Sequence, residues 1–173
     1  RMAVRVAING FGRIGRAFER RSFNRGIEIV AVNDLGSLEN LAYLLKHDTV
    51  YGHAPFSVET KENMLVIDGK EVKFFSEKDP ANLPWKDLAI DVVVESTGFF
   101  TDYEKAQVHI TAGARRVVIS APVKINSPLG ATVLMVINEE RLSTCSITSN
   151  ASCTTNAVSP VIAILYETIG IEK

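Results

Sequence analysis

The residues with the clearest chemical potential lie in one octet, Ser149–Asn156, which contains Cys153. The octet follows a β-type run, Cys145–Thr148, and precedes a largely apolar segment, Ala157–Ile169, that predicts a helix. Cys153 is therefore expected at a strand-to-helix turn, where the helix dipole and free backbone N–H groups favour a thiolate nucleophile. Because free cysteines are often buried and inert, the cysteine alone leaves a structural role open.

A glycine motif near the N-terminus is a second candidate site. Gly10, Gly12 and Gly15 form the pattern G-x-G-x-x-G between a strand pattern at Ala3–Ile8 and a helix pattern. In a dinucleotide-binding fold these glycines permit a tight turn, close approach of the backbone to a pyrophosphate, and packing of the helix on the strand. The phosphates then lie at the helix N-terminus, where backbone N–H groups converge.

An acidic residue after the next strand strengthens this interpretation. The β pattern Ile27–Val32 leads to Asp34, which follows Gly15 at close to the spacing of about 20 residues expected for the acid that binds a ribose diol. Its carboxylate would repel a 2′-phosphate, so NAD is favoured over NADP. The alternative, a glycine turn with an unrelated surface aspartate, is weaker because the motif is embedded between a strand, a helix and a second strand.

Further strand patterns are expected to bring the two candidate sites together. Ile90–Glu95 and Arg116–Ile119 are typical of buried parallel strands, with a helix pattern at Tyr103–Ala112 between them. Parallel strands open their C-terminal loops onto one crevice. The residues that we expect at this crevice are Thr97, Gly98, Ser120 and Cys153.

The other patterns complete an α/β plan. Ser37 is expected to cap a helix at Leu38–Lys46, and Ala131–Ile137 is predicted to be a strand. Phe56–Phe75 alternates apolar and polar residues around the turn signal Asp68-Gly69, which predicts antiparallel strands. The predicted fold is a doubly wound, mostly parallel Rossmann sheet with an inserted antiparallel hairpin.

Three histidines and the tryptophan are assigned no catalytic role. Neither His47 nor His53 has a second ligand at metal spacing, so both are predicted to be solvated or hydrogen-bonded surface residues, and no metal site is predicted. His109 and Trp85 are predicted to have structural and packing roles.

Composition limits the class of protein. The chain has 173 residues, of which 46% are hydrophobic and 23% charged, as in a soluble globular domain. Its net charge of -1 gives no argument for nucleic acid or an anionic membrane surface, and no apolar run approaches membrane-spanning length. We expect Met2 to be the natural start, with no signal peptide. The two cysteines fit neither a disulfide framework nor a zinc site, which favours a reducing, cytoplasmic-type compartment.

A dinucleotide site beside a nucleophilic cysteine indicates one reaction class. A Cys153 thiolate attacks an aldehyde to form a thiohemiacetal, which becomes a thioester as hydride passes to nicotinamide. Water or phosphate then releases the acyl group. Ser152 and Thr154 offer hydroxyl and backbone N–H groups to an anion near the thiol.

The sequence resembles the phosphorylating glyceraldehyde-3-phosphate dehydrogenases along its whole length. The segments that carry the resemblance are INGFGRIGR (Ile8–Arg16), VND (Val32–Asp34), LLKHDTVYG (Leu44–Gly52), ESTGFF (Glu95–Phe100), AGARRVVISAP (Ala112–Pro122) and SNASCTTN (Ser149–Asn156). The last motif is highly specific to the family.

The resemblance implies oxidation of glyceraldehyde 3-phosphate to 1,3-bisphosphoglycerate with NAD and inorganic phosphate, in an enzyme that is usually a homotetramer. It implies that Cys153 is the nucleophile and that Ser152 and Thr154 lie near the substrate and the phosphate. The cofactor contacts that it implies are Arg13, Ile14, Asp34, Lys78 and Ser120.

The chain departs from the family in two respects. Family enzymes are about twice as long, so residues 1–150 are expected to be the NAD-binding domain and residues 151–173 the cysteine helix and the start of an otherwise absent substrate domain. The family's base histidine lies downstream, so we expect NAD binding but little turnover, since general base catalysis is worth about 10²–10⁴-fold. The family also usually has Gly-Val-Asn where this chain has Val136-Ile137-Asn138.

Two alternative functions stay open. One is erythrose-4-phosphate dehydrogenase, a relative that shares the cysteine motif, although Asp34 and the Ser120-Ala121-Pro122 match favour the first reading. The other is a non-enzymatic dinucleotide-binding module, against which the intact Cys153 motif argues.

Overall fold

The structure is a computed structural model that describes residues 3–124 and 127–172. Its helices are α1 (Arg13–Ser22), α2 (Leu38–Lys46), α3 (Tyr103–Thr111) and α4 (Cys153–Thr168). Its strands are β1 (Val4–Asn9), β2 (Ile27–Asn33), β3 (His47–Asp48), β4 (Gly52–His53), β5 (Val58–Lys61), β6 (Met64–Ile67), β7 (Lys70–Phe75), β8 (Val92–Glu95), β9 (Arg116–Ile119), β10 (Gly130–Thr132) and β11 (Ile147–Ser149). Short 3-10 helices lie at Pro80–Asn82 and Glu139–Ser143.

Nine of these strands form one sheet in the order β10-β11-β9-β8-β1-β2-β7-β6-β5. All neighbours from β10 to β7 are parallel, whereas β5, β6 and β7 pair with one another in antiparallel fashion at one edge. The predicted mostly parallel α/β sheet is confirmed. The antiparallel strands extend this sheet, and a separate two-stranded ribbon is formed by β3 and β4.

The register of the parallel strands places their last residues in one row. Asn33 pairs with Asn9, Asn9 with Glu95, Glu95 with Ile119, and Ile119 with Ser149. The loops that follow β2, β1, β8, β9 and β11 therefore all begin at the same edge of the sheet. This is the crevice expected in an open α/β fold.

Apolar side chains cover both faces of the parallel strands, as burial on both faces requires. On one face, Leu38, Leu41 and Leu45 of α2 pack in a cluster with Ile8 and other strand residues. On the opposite face, the fully buried Trp85 packs with Ile90 and Val93. A third cluster joins α3 to β9 and β11.

Local signals explain where several elements begin and turn. The Ser37 side chain accepts a hydrogen bond from the Asn40 N–H and caps α2, and Asp102 caps α3 in the same way. Asp68 and Gly69, with φ of 49° and 77°, form the turn between β6 and β7, as predicted.

The predicted strand at Ala131–Ile137 is wrong beyond its first residues, because β10 ends at Thr132. The chain then turns, with Val136 at a φ of 71°. The Asn138 side chain stabilises this turn by accepting a hydrogen bond from the Leu134 N–H at 2.7 Å and donating one to the Thr132 carbonyl. Val136 thus adopts a left-handed conformation, which is unfavourable for a β-branched residue.

Within residues 3–124 and 127–172, none of the helices combines the length and the apolarity that a membrane crossing requires. The same part of the chain contains no group of three or more His, Cys, Asp or Glu residues arranged to hold a metal ion. Cys145 and Cys153 are both free thiols.

Candidate functional site

A cavity of about 460 Å³ opens at the C-terminal ends of β1, β2 and β8. Its walls come from the glycine turn, the loop after β2, the loop after β7 and the turn after β8. The residues that line it are Asn9, Gly10, Gly12, Asn33, Asp34, Leu35, Glu77, Lys78, Ser96, Thr97, Phe99 and Phe100.

The glycine turn leaves no room for side chains where it meets the rest of the fold. Gly10 has a φ of 93°, and a Cβ there would lie 2.6 Å from the backbone of Ser96 and Thr97. A Cβ on Gly15 would overlap the carbonyl oxygen of Gly10. At Gly12, by contrast, a Cβ would meet nothing within 4 Å, so this backbone faces open space that a ligand can occupy.

The N-terminus of α1 can bind an anion. Gly12 is the N-cap residue and has no side chain to cap the helix, so the backbone N–H groups of the first turn stay free to donate hydrogen bonds at the cavity. Arg16 stabilises the glycine turn by donating a hydrogen bond to the Phe11 carbonyl at 2.7 Å. Burial, and secondarily the charge of Arg13, lower the pKa of Arg16.

The Asp34 carboxylate is held in a fixed orientation beside the glycine turn. Its Oδ2 accepts a hydrogen bond from the Phe11 N–H at 2.6 Å, and its Oδ1 accepts one from the Gly36 N–H at 2.8 Å. Each carboxylate oxygen has a second lone pair, which is free to accept a hydroxyl hydrogen bond. The residues present therefore fit a dinucleotide, with phosphates at Gly12 and a ribose diol at Asp34.

The ten residues predicted to bind the cofactor fall into two groups. Those that line the cavity are Gly10, Gly12, Asp34, Lys78 and Thr97. Those that do not line it are Arg13 and Ile14, exposed on the first turn of α1; Gly15, buried beneath that turn; Gly98, exposed after Thr97; and Ser120, after β9. Arg13 forms an ion pair with Asp48 at 3.1 Å.

Sequence reasoning missed seven lining residues, namely Asn9, Asn33, Leu35, Glu77, Ser96, Phe99 and Phe100. A signal existed for five of them. Asn9 and Asn33 are polar residues at the ends of apolar strand patterns, and each comes directly before a predicted site residue. Ser96, Phe99 and Phe100 lie in Glu95–Phe100, one of the segments that carry the family resemblance. Leu35 and Glu77 lie in loops without a periodic pattern.

Cys153 is the first residue of α4, and it is exposed. The preceding Ser152 is the N-cap: its Oγ accepts a hydrogen bond from the Thr155 N–H at 3.0 Å and lies 2.8 Å from the Thr155 hydroxyl. Thr154 is exposed next to Cys153. Ser152 therefore has a structural role in addition to its predicted place near the substrate.

The turn before Cys153 is held by local polar contacts. The Ser149 hydroxyl donates a hydrogen bond to the Ala121 carbonyl at 2.6 Å and accepts one from the Ala151 N–H. Ala151 has a φ of 58°, a left-handed conformation that is costly for a residue other than glycine. Such strain next to a candidate nucleophile is typical of functional sites.

No hydrogen bond to the Cys153 thiol is formed by any residue in the described ranges. His109 is buried inside the sheet domain. His47 and His53 contact each other across the β3–β4 ribbon, with their Nδ1 atoms 3.1 Å apart, a pairing that the sequence did not predict. Desolvation, followed by the charges of His53 and Lys46, lowers the pKa of His47.

Fold and cavity together define the class of this protein as a dinucleotide-binding α/β domain, with an exposed cysteine at the same edge of the sheet. The turn that leads to Cys153 follows β11, three strand spacings or about 14 Å from β1. The thiol and the glycine turn thus lie along one crevice.

Comparison with known proteins identifies the family. Residues 4–103 match the family model described as the NAD-binding domain of glyceraldehyde 3-phosphate dehydrogenase. The chain is 50% identical over 172 residues to a glyceraldehyde-3-phosphate dehydrogenase of Thermotoga maritima, covering 97% of this chain and 51% of the relative. It is 51% identical over 176 residues to the enzyme of that name from Zymomonas mobilis, covering 99% of this chain and 52% of the relative.

The chain belongs to the glyceraldehyde-3-phosphate dehydrogenase family and carries its NAD-binding domain. It spans about half the length of the curated relatives it matches.

Proposed function

We propose that this chain is the NAD-binding and nucleophile-bearing half of a phosphorylating glyceraldehyde-3-phosphate dehydrogenase. The observation that carries the proposal is the single row of strand ends that leads to both the glycine turn and the Cys153 turn. The names of the relatives support the choice of glyceraldehyde 3-phosphate as substrate.

In the proposed reaction, Cys153 Sγ gives up its proton and forms a bond to the aldehyde carbon of the substrate, while the aldehyde oxygen takes up a proton. The resulting thiohemiacetal loses a hydride from that carbon and the proton of its hydroxyl group to a base, and it becomes a thioester. NAD, when bound, supplies the acceptor for this hydride. Inorganic phosphate then attacks the thioester carbon, which releases 1,3-bisphosphoglycerate and restores the thiolate.

The residues proposed for cofactor binding have different roles that depend on their positions. The N–H groups near Gly12, Arg13 and Ile14 face the phosphates, and Asp34 accepts hydrogen bonds from the ribose diol. Lys78 and Thr97 contribute to the cavity walls, and Ser120 lies further along the same edge. Gly10, Gly15 and Gly98 shape the turns that place these groups.

The substrate side of the site is incomplete in the described residues. Ser152 and Thr154 flank Cys153 and are proposed to bind substrate and phosphate, but none of the three histidines contacts the thiol. We propose that the base comes from further residues of a full-length parent, and that this parent is a cytoplasmic homotetramer. The 173-residue chain should therefore bind NAD and turn over slowly or not at all.

Calorimetric titration tests the cofactor half of the proposal. The chain should bind NAD and should bind NADP more weakly, because Asp34 repels the 2′-phosphate. Asp34→Asn should reduce the preference for NAD, since it removes that negative charge. The proposal fails if a folded chain shows no binding at millimolar NAD.

Alkylation kinetics test the nucleophile. Mass spectrometry after iodoacetamide treatment should show faster labelling of Cys153 than of Cys145, the half-buried second free thiol in the same chain. Equal, slow labelling of both would contradict an activated Cys153.

A comparison of glyceraldehyde 3-phosphate with erythrose 4-phosphate as substrates of the full-length parent decides between the two dehydrogenase activities.

A further inference from the structure

A chain of buried hydrogen bonds crosses the sheet directly beneath the cavity. It starts at Trp85, whose indole Nε1–H donates to His109 Nδ1 at 3.1 Å. His109 Nε2 lies 2.9 Å from Glu95 Oε2. Trp85, His109 and Glu95 are all buried, and Glu95 is the last residue of β8.

The chain continues on the other side of Glu95 through the two strand-end asparagines. Asn9 Nδ2 donates to Glu95 Oε2 at 2.6 Å, and Asn33 Nδ2 donates to Asn9 Oδ1 at 2.7 Å. Asn33 in turn binds the backbone of Glu77 twice: its Nδ2 donates to the Glu77 carbonyl, and its Oδ1 accepts from the Glu77 N–H. The network therefore reaches the cavity wall formed by the loop after β7.

Both ends of the network fix the direction in which its hydrogen bonds are donated. An indole N–H can only donate, so His109 Nδ1 must accept and His109 Nε2 must carry the proton. The Glu77 N–H can also only donate, so Asn33 Oδ1 must accept and both asparagine Nδ2 groups must donate toward Glu95. Asn9 Nδ2 and His109 Nε2 are 3.4 Å apart because both donate to the same oxygen, and they do not bond to each other.

Glu95 is consequently the common acceptor of the network. Its Oε2 receives the Asn9 and His109 hydrogen bonds. Its Oε1 receives two from Thr97, one from the N–H at 2.8 Å and one from the hydroxyl at 2.5 Å. Four donors and no acceptor face this side chain, which an ionised carboxylate satisfies fully and a neutral amide cannot.

The Thr97 bonds connect the network to the opposite wall of the cavity. The Thr97 hydroxyl, while donating to Glu95, accepts a hydrogen bond from the Phe99 N–H at 3.1 Å and so sets the turn that presents Phe99. The neighbouring Ser96 hydroxyl donates to the Gly10 carbonyl at 2.7 Å. The turn after β8 is thereby fixed to the glycine turn as well.

We propose that Glu95 is a positioning residue for NAD binding. Its buried carboxylate binds the Thr97 turn directly, and it stabilises the Glu77–Lys78 wall through Asn9 and Asn33. The hydrogen bond from His109 fixes the orientation of the carboxylate. This inference rests on the proposed NAD binding. Glu95 touches no ligand itself, since Thr97 covers it, and it acts through the walls that it holds.

Substitution of Glu95 by glutamine is the direct test. Glu95→Gln preserves the shape but leaves one acceptor oxygen, so either the Thr97 pair or the Asn9 and His109 pair loses its acceptor. We expect the Kd for NAD to rise about 10- to 30-fold, measured by calorimetry on protein shown to be folded by its circular dichroism spectrum. Glu19→Gln, a buried glutamate on α1 outside the network, is the matched control and should leave the Kd unchanged.

Amide hydrogen exchange separates positioning from general stabilisation. In Glu95→Gln the Thr97, Phe99 and Glu77 amides should exchange faster while those in the centre of β1 keep their protection. A uniform loss of protection, or faster exchange with an unchanged Kd, would overturn the proposal.

Substitutions at Thr97 keep the test decisive if Glu95→Gln does not fold. Thr97→Val removes the hydroxyl in a half-buried turn and should raise the Kd about 5- to 10-fold, whereas Thr97→Ser keeps the hydroxyl and should bind NAD more tightly than the valine variant. Equal affinity of the valine and serine variants contradicts the inference. Absence of NAD binding by the wild-type chain would instead contradict the proposed function.

Discussion

The sheet domain, which is the parallel sheet together with helices α1 to α3, differs from helix α4 in how it buries its apolar side chains. The sheet domain buries them in three clusters. It also buries Trp85, His109 and Glu95, where each side-chain N–H donor has a hydrogen-bond acceptor. Helix α4 has no buried residue, although it is largely apolar. Its exposed apolar side chains include Val158, Val161, Ile162, Ile164, Leu165 and Tyr166.

The difference shows how a helix can be well defined at one end without being packed. The first turn of α4 is organised by Ser152, Thr155 and Asn156, whose hydrogen bonds are all local. Most helices in folded proteins take their stability from a buried face, which the described residues do not provide for α4. The geometry around Cys153 therefore depends on short-range contacts, whereas the cavity depends on contacts between distant strands.

Truncation of one leucine in the sheet domain and of one in α4 should give the largest difference in the free energy of unfolding. Leu45→Ala removes a fully buried side chain of α2 and should lower the free energy of unfolding by about 2–5 kcal/mol. Leu165→Ala in α4, where the leucine is 41% exposed, should change it by less than about 0.5 kcal/mol. Urea denaturation measures both, and similar losses for the two variants would show that α4 is packed after all.

The pH dependence of stability should reveal a buried carboxylate that has an unsatisfied oxygen atom. Glu19 is buried, its Oε2 has no hydrogen-bond partner among the described residues, and burial raises its pKa from 4.5 to about 7. The folded state therefore retains a proton that the unfolded chain releases, so stability is complete below pH 4.5 and falls as the pH rises to about 7.

Removal of the Glu19 carboxylate should reduce the dependence of the free energy of unfolding on pH. Relative to wild type, Glu19→Gln should gain up to roughly 3 kcal/mol between pH 4.5 and pH 7, and no more above that range. Urea unfolding at a series of pH values provides the measurement. Parallel curves for the two proteins would mean that Glu19 is ionised at little cost in the folded state.

The connection between β10 and β11 offers a stabilising substitution. Val136 has a φ of 71° and is exposed, so Val136→Gly should relieve left-handed strain and raise the free energy of unfolding by about 0.5–1 kcal/mol, after the entropic cost of glycine. Val161→Gly, at an exposed site with ordinary helical geometry in α4, is the control and should not stabilise. Destabilisation by Val136→Gly would contradict the strained turn.

An effect of similar size is expected from the two helix caps. Asp102→Ala removes the cap of α3, which packs on the sheet, and should lower global stability by about 1 kcal/mol. Ser152→Ala removes the cap of α4 and should reduce helical circular dichroism while leaving the unfolding midpoint of the sheet unchanged. Equal shifts of the midpoint would show that both helices belong to one cooperative unit.

The sequence predicted the elements whose signals are local. The bounds of α2 and β9 agree with the predictions, because apolar periodicity and the Ser37 cap lie within the segments themselves. The glycine motif and Asp34 predicted one wall of the cavity for the same reason. The turn at Val136 was missed because its apolar residues have the composition of a strand.

The contacts beneath the cavity could not be predicted from any window of sequence. Glu95 meets Asn9 across 86 positions, and Asn9 lies near His109 across 100. No periodicity connects such residues, and no single segment indicates that they meet. The pairing of His47 with His53 was likewise invisible, because it depends on a ribbon of only two residues per strand.

The same separation along the chain has a consequence for how the protein folds. Strand β1 can pair early with β2, but its other neighbour, β8, must be recruited after a long intervening loop has closed. Contacts of this range slow folding, and we expect the joining of β8 to β1 to limit its rate, on a scale of milliseconds to seconds. The floor of the nucleotide pocket is then completed last, so a partly folded chain would already have its glycine turn but would not yet hold a cofactor.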